Sequence, residues 1–212
     1  MIPCIFPVTL RRGIAHRVVL RETSFRLDTT DGAERVSVPR IHARLALDGD
    51  RNALIVKDVS AAFADGRSIL VLTERRDHVE ILRHAFEQFT QRVVVLRGSM
   101  KPSERRTAGD QLRESDSTPR IIVATGRFLG EGFDDSRLDT LFVAMPIAWK
   151  GTLAQYVGRL HRDHEGKIEV VVYDYADESV PVLARMAAKR RSGYRALGYV
   201  AGDPPVDARG RI

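Results

Sequence analysis

From residue 69 onward the chain repeats one pattern. A short run of apolar residues is followed by a polar loop and then by a segment whose apolar residues recur every three or four positions. The short runs are residues 69–72, 93–96, 121–124, 141–144 and 168–173. Runs of this length, apolar without alternation, suit strands buried on both faces. Between them, residues 77–89 place Val79, Leu82, Phe86 and Phe89 on one helical face, with Asp77 and Glu80 spaced as a capping box. Pro102 stands in the first turn of a helix reaching about Arg113, residues 152–160 form another, and a last one spans about 180–197. Such alternation predicts an α/β fold, a parallel sheet with helices on both faces. Ligands of these sheets bind beyond the carboxyl ends of the strands. The segments after Leu72, Leu96, Thr125 and Ala144 are therefore where chemistry is expected.

The chain upstream reads differently. Val18, Val19 and Leu20, then Phe25 and Leu27, have an extended pattern; Asp31-Gly32 marks a turn; Val36 and Val38 resume strand-like alternation. Residues 1–38 are accordingly expected to form a short β-rich extension. Residues 39–64 turn helical, with Ile41 and Leu45 four apart and Leu54, Ile55, Val59 and Phe63 in a stripe. Gly49 divides this stretch into two helices, and Gly66 suits a C-terminal stop. The main domain is expected over 39–200. A loose tail is expected over 201–212, which carries two prolines and little apolar matter.

Thirty-four Lys and Arg against 28 Asp and Glu leave a formal charge of +6. Long-range attraction then favours a polyanion such as nucleic acid. No apolar run reaches membrane-spanning length. Pro3 and Pro7 interrupt the apolar start and no small-residue cleavage site follows, which argues against a signal peptide. The lone Cys4 forms no internal disulfide and reads as an apolar residue rather than a nucleophile, in keeping with a cytoplasmic location. His161 and His164 are three apart, but no third ligand has metal-site spacing, so no metal site is expected. Trp149 reads as a loop residue packed on its own domain.

The most specific string is Gln155-Tyr156-Val157-Gly158-Arg159-Leu160-His161-Arg162. On a continuous helix, positions 155, 159 and 162 share one face and present an amide and two guanidinium groups in a row. Planar donors so spaced suit the spread charge of a transferring phosphoryl group. A second string, Val123-Ala124-Thr125-Gly126-Arg127-Phe128-Leu129-Gly130-Glu131-Gly132-Phe133-Asp134, runs from a strand into a loop with three glycines and a terminal acid. Glycines let a backbone approach phosphate or ribose closely. A third, Ile69 to Arg76, ends a strand in the polar, basic Thr73-Glu74-Arg75-Arg76, and a fourth is Val95-Leu96-Arg97-Gly98-Ser99.

The third, second and first of these strings, taken in their order along the chain, resemble motifs IV, V and VI of superfamily-two helicases, in their C-terminal RecA-like domain, where a small-residue loop like the fourth also follows a strand. Within that superfamily the chain is similar to the DEAD/DEAH-type, restriction-enzyme-like group, through Thr73-Glu74-Arg75-Arg76-Asp77, Gly130-Glu131-Gly132-Phe133-Asp134-Asp135, Tyr173-Asp174-Tyr175 and Val180-Pro181-Val182-Leu183. The resemblance reaches about Tyr199. It implies a RecA-like sheet, with Arg162 as an arginine finger on the γ-phosphate and Arg159 as a second phosphate or interdomain contact. It implies Gln155, Gly132 and Asp134 on the nucleotide side. Thr125, Arg75, Arg76, Arg97, Gly98 and Ser99 would meet a nucleic-acid strand, expected to be DNA.

The sequence holds no Gly-x-x-x-x-Gly-Lys-Ser/Thr and no strand ending in Asp-Glu-x-His or Asp-Glu-Ala-Asp; Gly166-Lys167 lacks the glycine loop and the hydroxyl. Phosphate cradle and magnesium acid are missing. In the family both belong to a first RecA-like domain. ATP with Mg²⁺ is then expected only at an interface with such a domain, in cis or in trans, and the chain is not expected to hydrolyse ATP alone. The alternative is a nucleic-acid-binding or regulatory remnant without ATPase activity. A small-molecule enzyme on a doubly wound sheet would need Gly-x-Gly-x-x-Gly after the first strand, which is absent.

Overall fold

The computed structural model describes residues 14–27, 36–98, 100–113, 118–126, 135–147, 152–162, 164 and 166–203. These form seven strands and six helices: β1 (Ala15–Glu22), α1 (Val38–Leu47), α2 (Gly49–Ala64), β2 (Ile69–Thr73), α3 (Arg76–Glu87), β3 (Val93–Leu96), α4 (Pro102–Arg113), β4 (Ile121–Thr125), β5 (Thr140–Val143), α5 (Thr152–Leu160), β6 (Glu169–Ala176), α6 (Pro181–Ala196) and β7 (Val200–Ala201). All strand pairs are parallel, in the order β3-β4-β2-β5-β6-β1-β7. The expected α/β fold with a RecA-like parallel sheet is what the chain adopts.

Every residue of β2 and β5 is buried, as continuous apolar runs require when both sheet faces are covered. Successive side chains enter opposite layers. Leu70, Leu72, Ile122, Ala124, Leu141 and Val143 pack with Ala108 of α4, with Leu153, Tyr156, Val157 and Leu160 of α5, and with Tyr194 of α6. Ile69, Val71, Ile121, Val123 and Phe142 pack with Ile55 and Val59 of α2 and Val79, Leu82 and Phe86 of α3. Phe142 and Tyr173 are register partners on adjacent strands, with rings stacked 4.4 Å apart. A third, smaller cluster joins Phe25, Ile41, Leu45, Met145 and Leu183.

Several expectations need correction. The stretch read as an extension supplies β1, which lies between β6 and β7 and pairs with β6 over its full length. Val38 opens α1 instead of continuing a strand, because Pro39 fits a first helical turn. Asp77 and Glu80 do not form a capping box. Arg75 occupies the N-cap position of α3, and Asp77, in the first turn, accepts from its guanidinium and from the His78 N–H. Asp48 separates α1 from α2 and caps the latter, its Oδ1 accepting from Arg51 N at 2.8 Å. Gly66 closes α2 at φ +80°, a conformation side chains disfavour. The expected turn at Asp31-Gly32 lies outside the described residues, as do Cys4, Trp149 and all of the tail beyond Asp203.

Buried ion pairs pin the helices to the strand ends. Arg190 of α6 grips Asp174 of β6 through two bonds of 2.7 and 2.8 Å, both side chains essentially inaccessible. Arg51 of α2 meets Asp177 at 2.9 Å with no exposure on either side, and donates to the Ala144 carbonyl at 2.6 Å. Thr23 Oγ1 donates to the same Asp177. A buried charge is tolerated only when paired and bonded in this way.

Candidate functional site

The register of the sheet sets the geometry. Thr73 and Thr125 are partners at the ends of β2 and β4, and Leu96 pairs with Ala124. The loops after β2, β3 and β4 therefore leave side by side, on strands roughly 4.8 Å apart. Gly126 N donates to the Thr73 carbonyl at 3.3 Å, which holds the first two exits together. Thr125, Arg75, Arg76, Arg97 and Gly98 are thus brought to one edge. Ser99, Gly132 and Asp134 lie outside the described residues.

Charge on that edge is partly committed. Arg75 grips Asp77 at 2.5 and 2.9 Å. The short pairing lowers the Asp77 carboxyl and raises the Arg75 guanidinium. Arg97 stands 3.6 Å from Glu80 and 3.4 Å from Glu104. Arg76 is exposed at the first position of α3. Pairs this exposed are worth little, so a phosphate can displace the carboxylates at small cost.

Glu74, Gly126 and Tyr156 form a junction that sequence reasoning missed. Tyr156 of α5 donates to the Gly126 carbonyl. A Cβ on Gly126 would come within 2.6 Å of Glu74 Oε1 and 3.6 Å of the Tyr156 oxygen. A side chain here would push the Glu74 carboxyl out of the junction. Glu74 is exposed over much of its surface, yet its carboxyl end rests in this junction, and burial raises its affinity for a proton. Burial and the neighbouring Glu74 raise the Tyr156 phenol too.

The arginine row has a different address. Leu153, Tyr156, Val157 and Leu160 form the buried stripe of α5, at intervals of three, one and three. Gln155 is left exposed and Arg159 half-buried on the outer side. The helix starts near the carboxyl edge, where Tyr156 meets Gly126, and runs back about 13.5 Å across the sheet. It ends near the amino edge. Arg162 does not lie on a continuous helix, as the spacing argument assumed. His161 N donates to Gly158 O at 3.3 Å and Arg162 N to Arg159 O at 3.2 Å, so the chain leaves α5 through tighter i to i+3 turns. Arg162 is exposed there.

His161 and Lys167 fasten this turn. His161 Nε2 bonds the Tyr199 hydroxyl at 2.8 Å, and its ring meets His16 edge-on at 4.5 Å. Burial, with the charges of His16 and Lys167, lowers its pKa to about 4, so it is neutral near pH 7. His164 is exposed, and among the described residues no group of three His, Cys, Asp or Glu side chains converges. Lys167 Nζ donates to the carbonyls of Ser136, Leu160 and Arg162 at 2.5, 3.0 and 2.9 Å. A lysine reaching backbone carbonyls leaves no sequence signature.

Among the described residues no helix is long and apolar enough to cross a membrane. Comparison with known proteins agrees with the geometry. The family model for the helicase conserved C-terminal domain matches residues 52–164. The chain is 28% identical over 145 residues to transcript termination protein A18 of vaccinia virus (strain Ankara), covering 67% of this chain and 29% of that protein. It is 32% identical over 83 residues to uncharacterized protein 108L of invertebrate iridescent virus 3, covering 39% of this chain and 75% of that one. The chain thus spans under a third of the length of A18. The crystal structure of T4 UvsW superposes with a TM-score of 0.68 at 15% identity, covering 90% of this chain and 41% of that one. The C-terminal domain of the DEAD-box protein Dbp5 gives 0.57 at 12% identity, covering 93% and 92%. With the matched span taking in β2 to β5 and the whole arginine row, the chain belongs to the helicase C-terminal domain family of superfamily-two helicases.

Proposed function

We propose that the chain acts as the second RecA-like half of an ATP-dependent nucleic-acid helicase or translocase, completing a nucleotide site whose phosphate loop and magnesium acid belong to a first RecA-like domain. The observation that carries this reading is that Gln155, exposed, and Arg159, half-buried, lie on the outer side of α5, with Arg162 exposed on the turn that follows it. No acidic residue occurs from Thr152 to Arg162, so the stretch presents two guanidinium groups and an amide with no carboxylate to repel a polyphosphate. The donor set fits ATP. Bound ATP with Mg²⁺ would supply the phosphoryl group and the first neutralisation of its charge. Arg162 would present a planar fork to the γ-phosphate, Arg159 a second guanidinium, and Gln155 an amide on the nucleotide side; Gly132 and Asp134 would face the ribose.

The carboxyl edge would hold the strand. Thr125, Gly98 and Ser99 would offer backbone and hydroxyl contacts, and Arg75, Arg76 and Arg97 would neutralise phosphates. Dbp5 has been solved bound to RNA and ADP BeF3. DNA is the strand expected for this chain, and paired binding assays with both decide between them. A first domain closing on α5 and reopening after hydrolysis would then shift the strand.

The test supplies a first RecA-like domain, fused or in trans, and measures ATP turnover. Arg162→Ala is expected to lower turnover by about 10³ to 10⁵, the usual worth of an arginine finger. Arg162→Lys is expected to rescue poorly because charge without the fork misses the geometry. Lys189→Ala, exposed on α6, serves as the control. Wild-type turnover in Arg162→Ala would refute the assignment.

A further inference from the structure

Arg162 sits on a turn outside any helix, where a flexible side chain on a flexible backbone would be a poor electrostatic device. Preorganisation matters, since a misplacement of about 1 Å can cost about 10²-fold in rate. The turn is held at three successive residues. The carbonyls of Leu160 and Arg162 accept from Lys167 Nζ, and the His161 ring bonds Tyr199 between them. The third Lys167 bond reaches Ser136 O, in the segment that follows the glycine loop and leads into β5. That segment is itself anchored. Arg137 binds Asp135 at 2.8 and 2.9 Å and donates to Leu112 O at the end of α4. An ammonium has three donors and no acceptor, and three carbonyls satisfy it fully.

Resting on the arginine-finger reading, we propose that Lys167 is a positioning residue for Arg162. Its ammonium clamps the two carbonyls that flank His161 to Ser136, so that the turn bearing Arg162 and the exit of the glycine loop move as one body. The clamp requires charge and compactness together. The carbonyls at the end of α5 carry the negative end of its dipole, which a cation complements. Burial lowers the pKa of the Lys167 ammonium, and the charges of Asp139 and Asp135 offset part of that. A longer planar guanidinium cannot direct three bonds at three converging carbonyls.

The experiment has two arms on the full chain. In the first, amide hydrogen exchange compares wild type with Lys167→Met, which keeps the stem and removes the ammonium. Protection is expected to fall at residues 159–162 and 136–138, while β2, β4 and β5 exchange as in wild type. Unchanged protection at both segments, or global loss across the strands, overturns the clamp. In the second arm the chain is paired with a first RecA-like domain. Lys167→Met is expected to lower kcat roughly 10- to 100-fold with KM for ATP shifted less than about threefold. Lys167→Arg is expected to remain well below wild type. Combined with Arg162→Ala, Lys167→Met should add nothing further. Lys167→Met at wild-type kcat while Arg162→Ala is crippled overturns the positioning role alone. An additive double variant overturns it too. Arg162→Ala at wild-type turnover overturns the finger reading, and with it the role assigned to Lys167.

Discussion

His78 offers a measurement of how the carboxyl edge is held. It is fully buried at the start of α3. Its Nδ1 lies 2.9 Å from Thr73 Oγ1 at the end of β2, and its Nε2 lies 2.9 Å from Asn52 Oδ1 on α2. Asn52 Nδ2 donates to Ala46 O, so Oδ1 is left to face the imidazole. The neutral tautomer follows: Nε2–H donates to Asn52, and Nδ1 accepts from the Thr73 hydroxyl. A second proton, on Nδ1, would have to displace the one that Thr73 donates. Burial, then the charge of Arg51, opposed by Asp77 and reinforced by Arg75, lowers the pKa from 6.5 to about 3. A histidine whose folded pKa is depressed contributes its full stability above 6.5 and loses it as the pH falls from there through about 3. At pH 5 the unfolded ring is charged and the folded ring is not. Each unit below 6.5 is worth about 1.36 kcal/mol, so the step from pH 8 to pH 5 removes about 2 kcal/mol. Urea denaturation of wild type and His78→Gln at both pH values reads this directly. The variant still feels every other titrating group, including His161, and is expected to lose about 2 kcal/mol less than wild type over the same step. Equal losses in the two proteins would refute the argument.

Two further outcomes follow from the charges. Asp174→Asn leaves Arg190 buried without its carboxylate and is expected to cost about 3–5 kcal/mol, whereas Asp174→Leu with Arg190→Met recovers most of it; urea midpoints decide, and a tolerated single variant contradicts the pairing. Binding to a single-stranded oligonucleotide, followed by anisotropy between low and moderate salt, is expected to weaken with a log–log slope of about −2, from about three phosphate contacts by Arg75, Arg76 and Arg97. A flat dependence would remove the carboxyl edge from consideration.

Local physics made much of this fold legible in the sequence. The four-residue apolar runs of β2 and β5 and the stripe of α5 record their own burial, so strands and helices fall within a few residues of their predicted ends. The place of β1 was not legible. Val18, Val19 and Leu20 show a strand, but its partner is β6, with Ala15 opposite Glu169. Nothing local encodes a pairing that distant, and the stretch reads as an extension. The end of α5 was missed for a related reason. Residues 155, 159 and 162 have helical spacing, yet the apolar stripe stops at Leu160 and the next bonds close through three residues instead of four. The Glu74–Gly126–Tyr156 junction and the Lys167 clamp depend on backbone carbonyls and close approach, which residue types do not advertise.

The geometry also divides the motifs in a way their order along the chain conceals. In an open parallel sheet, the carboxyl edge is the default binding locus, because strand-end loops and helix N-termini converge there. Thr125, Arg75, Arg76 and Arg97 lie at that edge. The arginine row does not, because α5 must run antiparallel to β5 before the chain can return as β6 in the same direction. That crossover carries Arg159 and Arg162 away from the edge where Gln155 begins. The segment into β5 makes the same journey from the glycine loop, so the ends of both paths meet beside the amino edge, where Lys167 joins Ser136 to Arg162. A strand at one edge and a nucleotide on the outer face of α5 would then communicate through two covalent paths that start at Gly126 and Tyr156 and close at Lys167. On the function proposed above, cutting the closure at Lys167 would free the turn that bears Arg162 from the segment leading into β5, and a motor built on this domain would lose turnover and coupling before it lost binding.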